Sequence, residues 1–173
     1  MKNFKEKLRD IKILALDVDG VLTDGSVFCS ENGDQVRTMN IKDGYALQLA
    51  VKTGLNILII SGGSSQGVLT RLNRLGIRDV MMGAGTKLPL LQSYCAENNF
   101  LAHEVLYMGD DIPDLHCMQW VGTAACPADA ATEIKEICHY VSRFPGGKGC
   151  VRDVIEQLLK VQEKWMQKEA FSW

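Results

Sequence analysis

The stretch DVDGVLTDG places Asp17, Asp19 and Asp24 within eight positions, directly after the apolar run IKILAL. Further on, Ser61-Gly62-Gly63 follows LNILII, Lys87 closes GAGTK, and Gly109-Asp110-Asp111 follows VLYM. Singly, each has an ordinary structural explanation: a turn or helix-capping aspartate, a plain glycine turn, a solvated lysine, an acidic helix start. Together they describe phosphoryl-transfer chemistry. Several carboxylates gathered at one point repel one another unless a cation holds them, and hard oxygen ligands suit Mg²⁺. A lysine and a small hydroxyl beside that cation can stabilise the equatorial oxygens of a phosphoryl group. An aspartate can attack phosphorus itself and form an acyl phosphate. A second one, two positions on and aimed differently by the turn, can serve as general acid to the leaving group and then as base for water, worth about 10²–10⁴ in rate.

Elements that would bring these groups together are legible in the apolar pattern. Short runs at 12–16, 55–60, 79–82 and 105–108 are near-continuously apolar, with helical spacing between them. Such alternation predicts a parallel sheet covered on both faces, a three-layer doubly wound α/β fold. Ligands of open parallel sheets bind beyond the carboxyl ends of the strands, and each motif above follows one such end. Asp43 is expected to cap a helix ending near Gly54, Ser64 or Ser65 another ending at Gly76, and Thr86 a third with Pro89 in its first turn. Fifth and sixth strands are expected at 121–125 and 139–142. A last helix should run from Val151 to Lys168, with Val151, Val154, Ile155, Leu158, Leu159 and Trp165 on one stripe. Residues 27–40, VFCSENGDQVRTMN, read as an inserted β-hairpin around Asn32-Gly33.

The 173 residues suffice for one ordinary domain, and no linker or repeat suggests a second. With 46% apolar and 23% charged residues the composition is that of a soluble globular protein. A net charge of -2 gives no electrostatic case for nucleic acid or an anionic membrane. Six scattered cysteines with no C-x-x-C pair suggest reduced thiols rather than zinc or a disulfide framework. The charged segment MKNFKEKLRD lacks the apolar centre of a signal peptide, and no run approaches a membrane span of about 20 residues. A cytoplasmic location is expected. His103, His116 and His139 follow no metal-ligand or triad spacing, and GAGTK lacks the full spacing of a phosphate-binding P-loop.

DVDGVLTDG, ISGG, Lys87 and GDDIPD, in that order, resemble the four motifs of the haloacid dehalogenase (HAD) superfamily of phosphotransferases. Together with NIKDGYA at 40–46 and FPGGKGCVRD at 144–153, the chain is similar over nearly its whole length to the superfamily's 3-deoxy-D-manno-octulosonate 8-phosphate phosphatases. The resemblance implies Asp17 as nucleophile and Mg²⁺ ligand, Asp19 as general acid/base and ligand through its carbonyl, and Asp110 as the third protein ligand. It implies Ser61, Gly62 and Lys87 around the phosphoryl group, with Asp111 and Asp114 supporting the metal. Asn40, Ile41, Lys42, Asp43, Gly44 and Arg71 would lie against the sugar acid phosphate. Family members of this size have no cap domain and are usually homotetramers, in which the hairpin helps close a neighbour's site. Two positions depart from the pattern: Gly63 and Gln48 stand where many members carry arginine. Related phosphatases of nine-carbon, sialic-type sugar acids carry an acidic residue at the Gly63 position, also absent here. The eight-carbon substrate is expected, with the nine-carbon one as the alternative. A receiver-type signalling domain also combines such a sheet with acidic groups, but its acceptor aspartate follows the third strand, which here ends in Met81-Met82-Gly83.

Overall fold

The computed structural model describes residues 3–172. After a first turn of helix (α1, Phe4–Lys7) the chain enters β1 (Ile13–Leu16), whose four side chains are all buried. The hairpin strands β2 (Phe28–Cys29) and β3 (Gln35–Val36) come next. Helix α2 (Ile41–Lys52), β4 (Asn56–Ile60), α3 (Gln66–Arg74), β5 (Asp79–Met81) and α4 (Lys87–Glu97) continue the alternation. The second half adds β6 (Val105–Met108), α5 (Leu115–Trp120), β7 (Thr123–Cys126), α6 (Thr132–Ile137), β8 (Tyr140–Val141) and α7 (Cys150–Val161).

Six strands form one parallel sheet in the order β5-β4-β1-β6-β7-β8, the three-layer α/β architecture expected from the alternation. Because β1 lies between β4 and β6, the direction of winding reverses there, and a crevice opens beyond the ends of β1 and β6. Alternate side chains divide between two cores. Leu14, Leu16, Ile57, Ile59, Leu106 and Met108 pack with α2, α3 and α7, whereas Ile13, Ala15, Leu58, Ile60, Val105 and Tyr107 face α4, α5 and α6. Burial on both faces is why these strands read as unbroken apolar runs.

Several boundaries differ from expectation. Asn40, not Asp43, caps α2, its side chain accepting from the Lys42 and Asp43 amides at 2.8 and 3.3 Å. Asp43 is buried one turn in and accepts from the amides of Gly149 (3.1 Å) and Arg152 (2.7 Å), so it holds the start of α7 instead. Ser65 is the residue that caps α3. The strand expected at 121–125 begins at Thr123, and that at 139–142 is reduced to Tyr140–Val141. Helix α7 stops at Val161 rather than Lys168, because Lys164 and Trp165 both donate to the Leu159 carbonyl and Glu163 turns left-handed at φ 58°. Trp165 nevertheless packs on the core from beyond the helix end. The hairpin forms as expected, pairing Phe28 with Val36 around a loop in which Gly33 has φ 83°. All six cysteines are free, and among the described residues no helix is long and apolar enough to cross a membrane.

The Asp43 tie gives a test of this packing. Asp43→Ala leaves two amides without their charged acceptor, a loss of about 2–4 kcal/mol. Urea unfolding should show a lowered midpoint with unchanged slope; a midpoint equal to wild type would contradict the account.

Candidate active site

Residues after β1, β4, β5 and β6 converge on one pocket of about 370 Å³ lined by Asp17, Asp19, Ser61, Gly62, Gly63, Lys87 and neighbours that include Thr86, Pro113 and His116. The backbone sets this convergence. The Asp17 amide donates to the Met108 carbonyl at 3.1 Å, which locks the end of β1 to the end of β6. After β4 the Ser61 amide donates to the Met81 carbonyl, and the Ala84 and Gly83 amides donate back to the carbonyls of Ser61 and Gly63, so the loops after β4 and β5 are tied to each other. Lys87 is the first residue of α4 and is buried. Gly20 has φ 82°, and a Cβ there would lie 1.9 Å from Asp110 Oδ2; only glycine lets that carboxylate reach the loop carrying Asp17 and Asp19.

Charge is concentrated at the floor. Oxygens of Asp17, Asp110 and Asp114 lie within 4.8 Å of one another. Lys87 Nζ stands 2.7 Å from Asp114 Oδ1 and 2.9 Å from Asp17 Oδ1, so one ammonium faces two carboxylates. Asp114 is fully buried and engaged on both oxygens: Oδ1 accepts from Lys87 and from the Tyr107 hydroxyl (2.7 Å), and Oδ2 accepts from the Asp110 amide (3.1 Å). Asp110 Oδ1 is buried with no hydrogen-bond partner. Burial, and then the Asp114 charge, push Asp17 up to about 6 despite Lys87. Asp110 is pushed to about 7 by burial and by Asp17 and Asp114. Burial acts to lower Lys87, but Asp114 and Asp17 outweigh it and raise it. Crowded, partly unpaired oxygen donors of this kind fit a hard divalent cation such as Mg²⁺.

Other expected site residues lie elsewhere. Asp111 is exposed and caps the amide of Ile112 at 2.8 Å, outside the pocket lining. Of the described residues that line the pocket, none belongs to the group Asn40, Ile41, Lys42, Asp43, Gly44, Gln48 and Arg71. Asn40 and Lys42 border a second, cationic groove with Arg143, Lys148 and Arg152. Arg71 places a guanidinium nitrogen 2.6 Å from where a Cβ on Gly44 would stand, and Gln48 has a buried oxygen without a partner. Asp24 lies at the loop's far end, accepting from Ser26 and from Lys148 at 3.1 Å each.

Two residues were not foreseen. Tyr107 hides inside the apolar run VLYM, yet strand alternation puts its hydroxyl on the Asp114 side. Arg37, on the returning limb of the hairpin, donates from Nε to Asp19 Oδ1 at 2.6 Å and from Nη2 to Asp19 Oδ2 at 3.0 Å.

An acidic pocket with a buried lysine, at the switch point of a doubly wound parallel sheet, defines a phosphotransferase of the HAD type, and comparison with known proteins agrees. The chain belongs to the 3-deoxy-D-manno-octulosonate 8-phosphate phosphatase (KdsC) family of that superfamily. It is 35% identical to the KdsC of Escherichia coli (strain K12) over 91% of this chain and 84% of that protein. To the Yersinia pestis KdsC it is 32% identical over 92% and 85%. The crystal structure of the Moraxella catarrhalis phosphatase in complex with magnesium, phosphate and KDO superposes with a TM-score of 0.91 at 31% identity, covering 94% of this chain and 93% of that one. No family model matches the chain.

Titration of the acidic floor is measurable. Asp17 and Asp110 have native values above the 3.8 of a free carboxylate, so their contribution to stability is fully present below that value and is lost as pH rises through about 6 and 7. The charged pair is also the form that binds a cation. Saturating Mg²⁺ should therefore raise the thermal midpoint more at about pH 8 than at about pH 5.5. Equal shifts at both would show that these carboxylates do not bind the ion.

Proposed function

We propose that this chain is a magnesium-dependent phosphatase that hydrolyses 3-deoxy-D-manno-octulosonate 8-phosphate to the free sugar acid and phosphate, in the cytoplasm, on the route to lipopolysaccharide. The observation that carries this reading is the largely buried cluster of Asp17, Lys87, Asp110 and Asp114 at the floor of a pocket that Ser61 and Gly62 line. The family named above supplies the substrate.

Asp17 acts as the nucleophile: its carboxylate attacks phosphorus, the sugar oxygen leaves, and an acyl phosphate forms on Asp17. Asp19, at the pocket wall, protonates the departing sugar oxygen and then takes the proton from the water that hydrolyses the acyl phosphate. Ser61 and Gly62 hold the phosphoryl oxygens, and Lys87 neutralises the charge that gathers beside Asp17. Mg²⁺, bound by Asp17, Asp110 and the backbone carbonyl of Asp19, would supply the remaining charge compensation for the transferring group. Asp114 holds Lys87 and the Asp110 loop in place through the bonds described above. Asp111 stabilises the same turn by capping Ile112.

Asn40, Ile41, Lys42, Gln48 and Arg71 would meet the sugar half from a neighbouring copy, in a homotetramer whose hairpins help close adjacent sites, whereas Asp43 and Gly44 are buried and shape the start of α2 without reaching the sugar. Two facts support this arrangement. None of these residues lines the phosphoryl pocket of its own chain. The hairpin also exposes Phe28 (70%) and Val36 (53%), an apolar pair on a two-stranded ribbon that is marginal without a partner surface.

Asp17→Asn should lower kcat by about 10³-fold or more without lowering stability, since it removes a charge that burial disfavours. Activity within tenfold of wild type would defeat the mechanism. In the hairpin, Phe28→Glu should yield a smaller species by light scattering that loses more activity on the sugar acid phosphate than on p-nitrophenyl phosphate. Equal losses would reject the shared site.

A further inference from the structure

Arg37 occupies an unusual place for a hairpin residue. Its neighbours Gln35, Val36 and Thr38 are exposed, yet its own side chain is only 5% exposed because the guanidinium is folded down onto Asp19. The fork is bidentate, so both carboxylate oxygens of Asp19 are turned toward the hairpin. A third donor, Nη1, reaches the Gln35 carbonyl at 3.2 Å and braces the guanidinium against its own strand.

Position 63 makes room for this. A Cβ on Gly63 would stand 3.1 Å from Arg37 Nη2 and 3.1 Å from Asp19 Oδ2, closer than such contacts normally come, and 3.7 Å from Ser61 Oγ. Gly63 and Asp19 both line the phosphoryl pocket. The guanidinium of Arg37 therefore sits where a side chain at position 63 would project. The chain lacks a cation at position 63 and delivers one to the same spot from the hairpin, 26 residues earlier in sequence.

The fork opposes a reaction in which Asp19 moves protons: each oxygen keeps a second lone pair, but both are aimed at the guanidinium, and Asp19 must turn from it to face the leaving group and the water. What draws Arg37 off Asp19 must be another oxyanion; a guanidinium fits phosphate and carboxylate alike, but the phosphoryl oxygens already have Ser61, Gly62 and Lys87 as partners, which leaves the carboxylate. We propose that Arg37 binds the carboxylate of the sugar acid phosphate, exchanging Asp19 for the substrate and so freeing Asp19 only when a carboxylate-bearing substrate is in place. This assignment rests on the function proposed above and deepens it: the hairpin carries a specificity-determining residue. The charge balance of the pocket is kept, because one carboxylate replaces another as partner to the same cation.

The test compares the full-length enzyme, Mg²⁺-loaded, on two substrates: whichever sugar acid phosphate, eight- or nine-carbon, the wild type prefers, and p-nitrophenyl phosphate, which has a phosphate and no carboxylate. The readout is the ratio of kcat/KM for the first to that for the second. Arg37→Ala should lower this ratio about tenfold or more, chiefly through a raised KM for the sugar acid phosphate, and Arg37→Lys should restore part of the loss. Gly63→Val, which crowds the guanidinium without removing it, should lower the ratio in the same direction. A ratio unchanged in Arg37→Ala, with both substrates losing equally, overturns the inference and leaves the proposed function standing. A wild type with no preference for carboxylate-bearing substrates overturns both, and is seen before any variant is made.

Discussion

Like-charge repulsion at the floor of a largely buried pocket is the constraint around which this molecule is organised. Asp17, Asp110 and Asp114 are brought within reach of one another, and among the described residues a single ammonium, that of Lys87, pairs with them. Burial first, and then this mutual repulsion, push Asp17 and Asp110 toward the neutral form, which is what their raised values record. The cluster survives because it is held by parts that do not yield easily: the parallel pairing of β1 with β6, the amide of Asp17 fixed to Met108, and Asp114 saturated by Lys87, Tyr107 and the Asp110 amide. Rigid positioning of charges that repel one another is the condition for a strong cation site and for an unprotonated nucleophile beside it.

How the sheet is wound explains why these groups meet. Strand order reverses at β1, and the two strands whose ends carry aspartates are adjacent there. Ser61 comes from the strand on the other side, and Lys87 from the helix after the outermost one. Four segments that are far apart in sequence become neighbours because each lies at the same end of a parallel strand.

That geometry was legible in the sequence to the extent that it depends on strand ends, since an apolar run followed by a polar turn is a local signal. Strand positions were found to within two residues for this reason. What depends on distant partners was not legible. Asn40 and Asp43 are both good capping residues three positions apart, and only the amides of Gly149 and Arg152, more than a hundred residues on, decide that Asp43 serves the other helix. Helices α5 and α6 are six residues each, too short to show a period. The end of α7 was placed too late because Trp165 continues the apolar stripe, although it reaches the core after the helix has turned away. Tyr107 looks like any aromatic strand residue, and Arg37 like any charge on a hairpin, until the fold supplies Asp114 and Asp19 as their partners.

The loop bearing Asp17 and Asp19 is itself braced from the far end of the chain. Gly147 donates its amide to the Val21 carbonyl at 3.0 Å, Cys150 donates its thiol to the same oxygen, and Asp43 secures the first turn of α7 behind them. During vectorial synthesis every motif residue has left the ribosome before this brace exists. The nascent polypeptide therefore carries its full set of reactive groups without the final fixings of the loop that aims two of them, and those contacts become available only when the last helix begins to emerge.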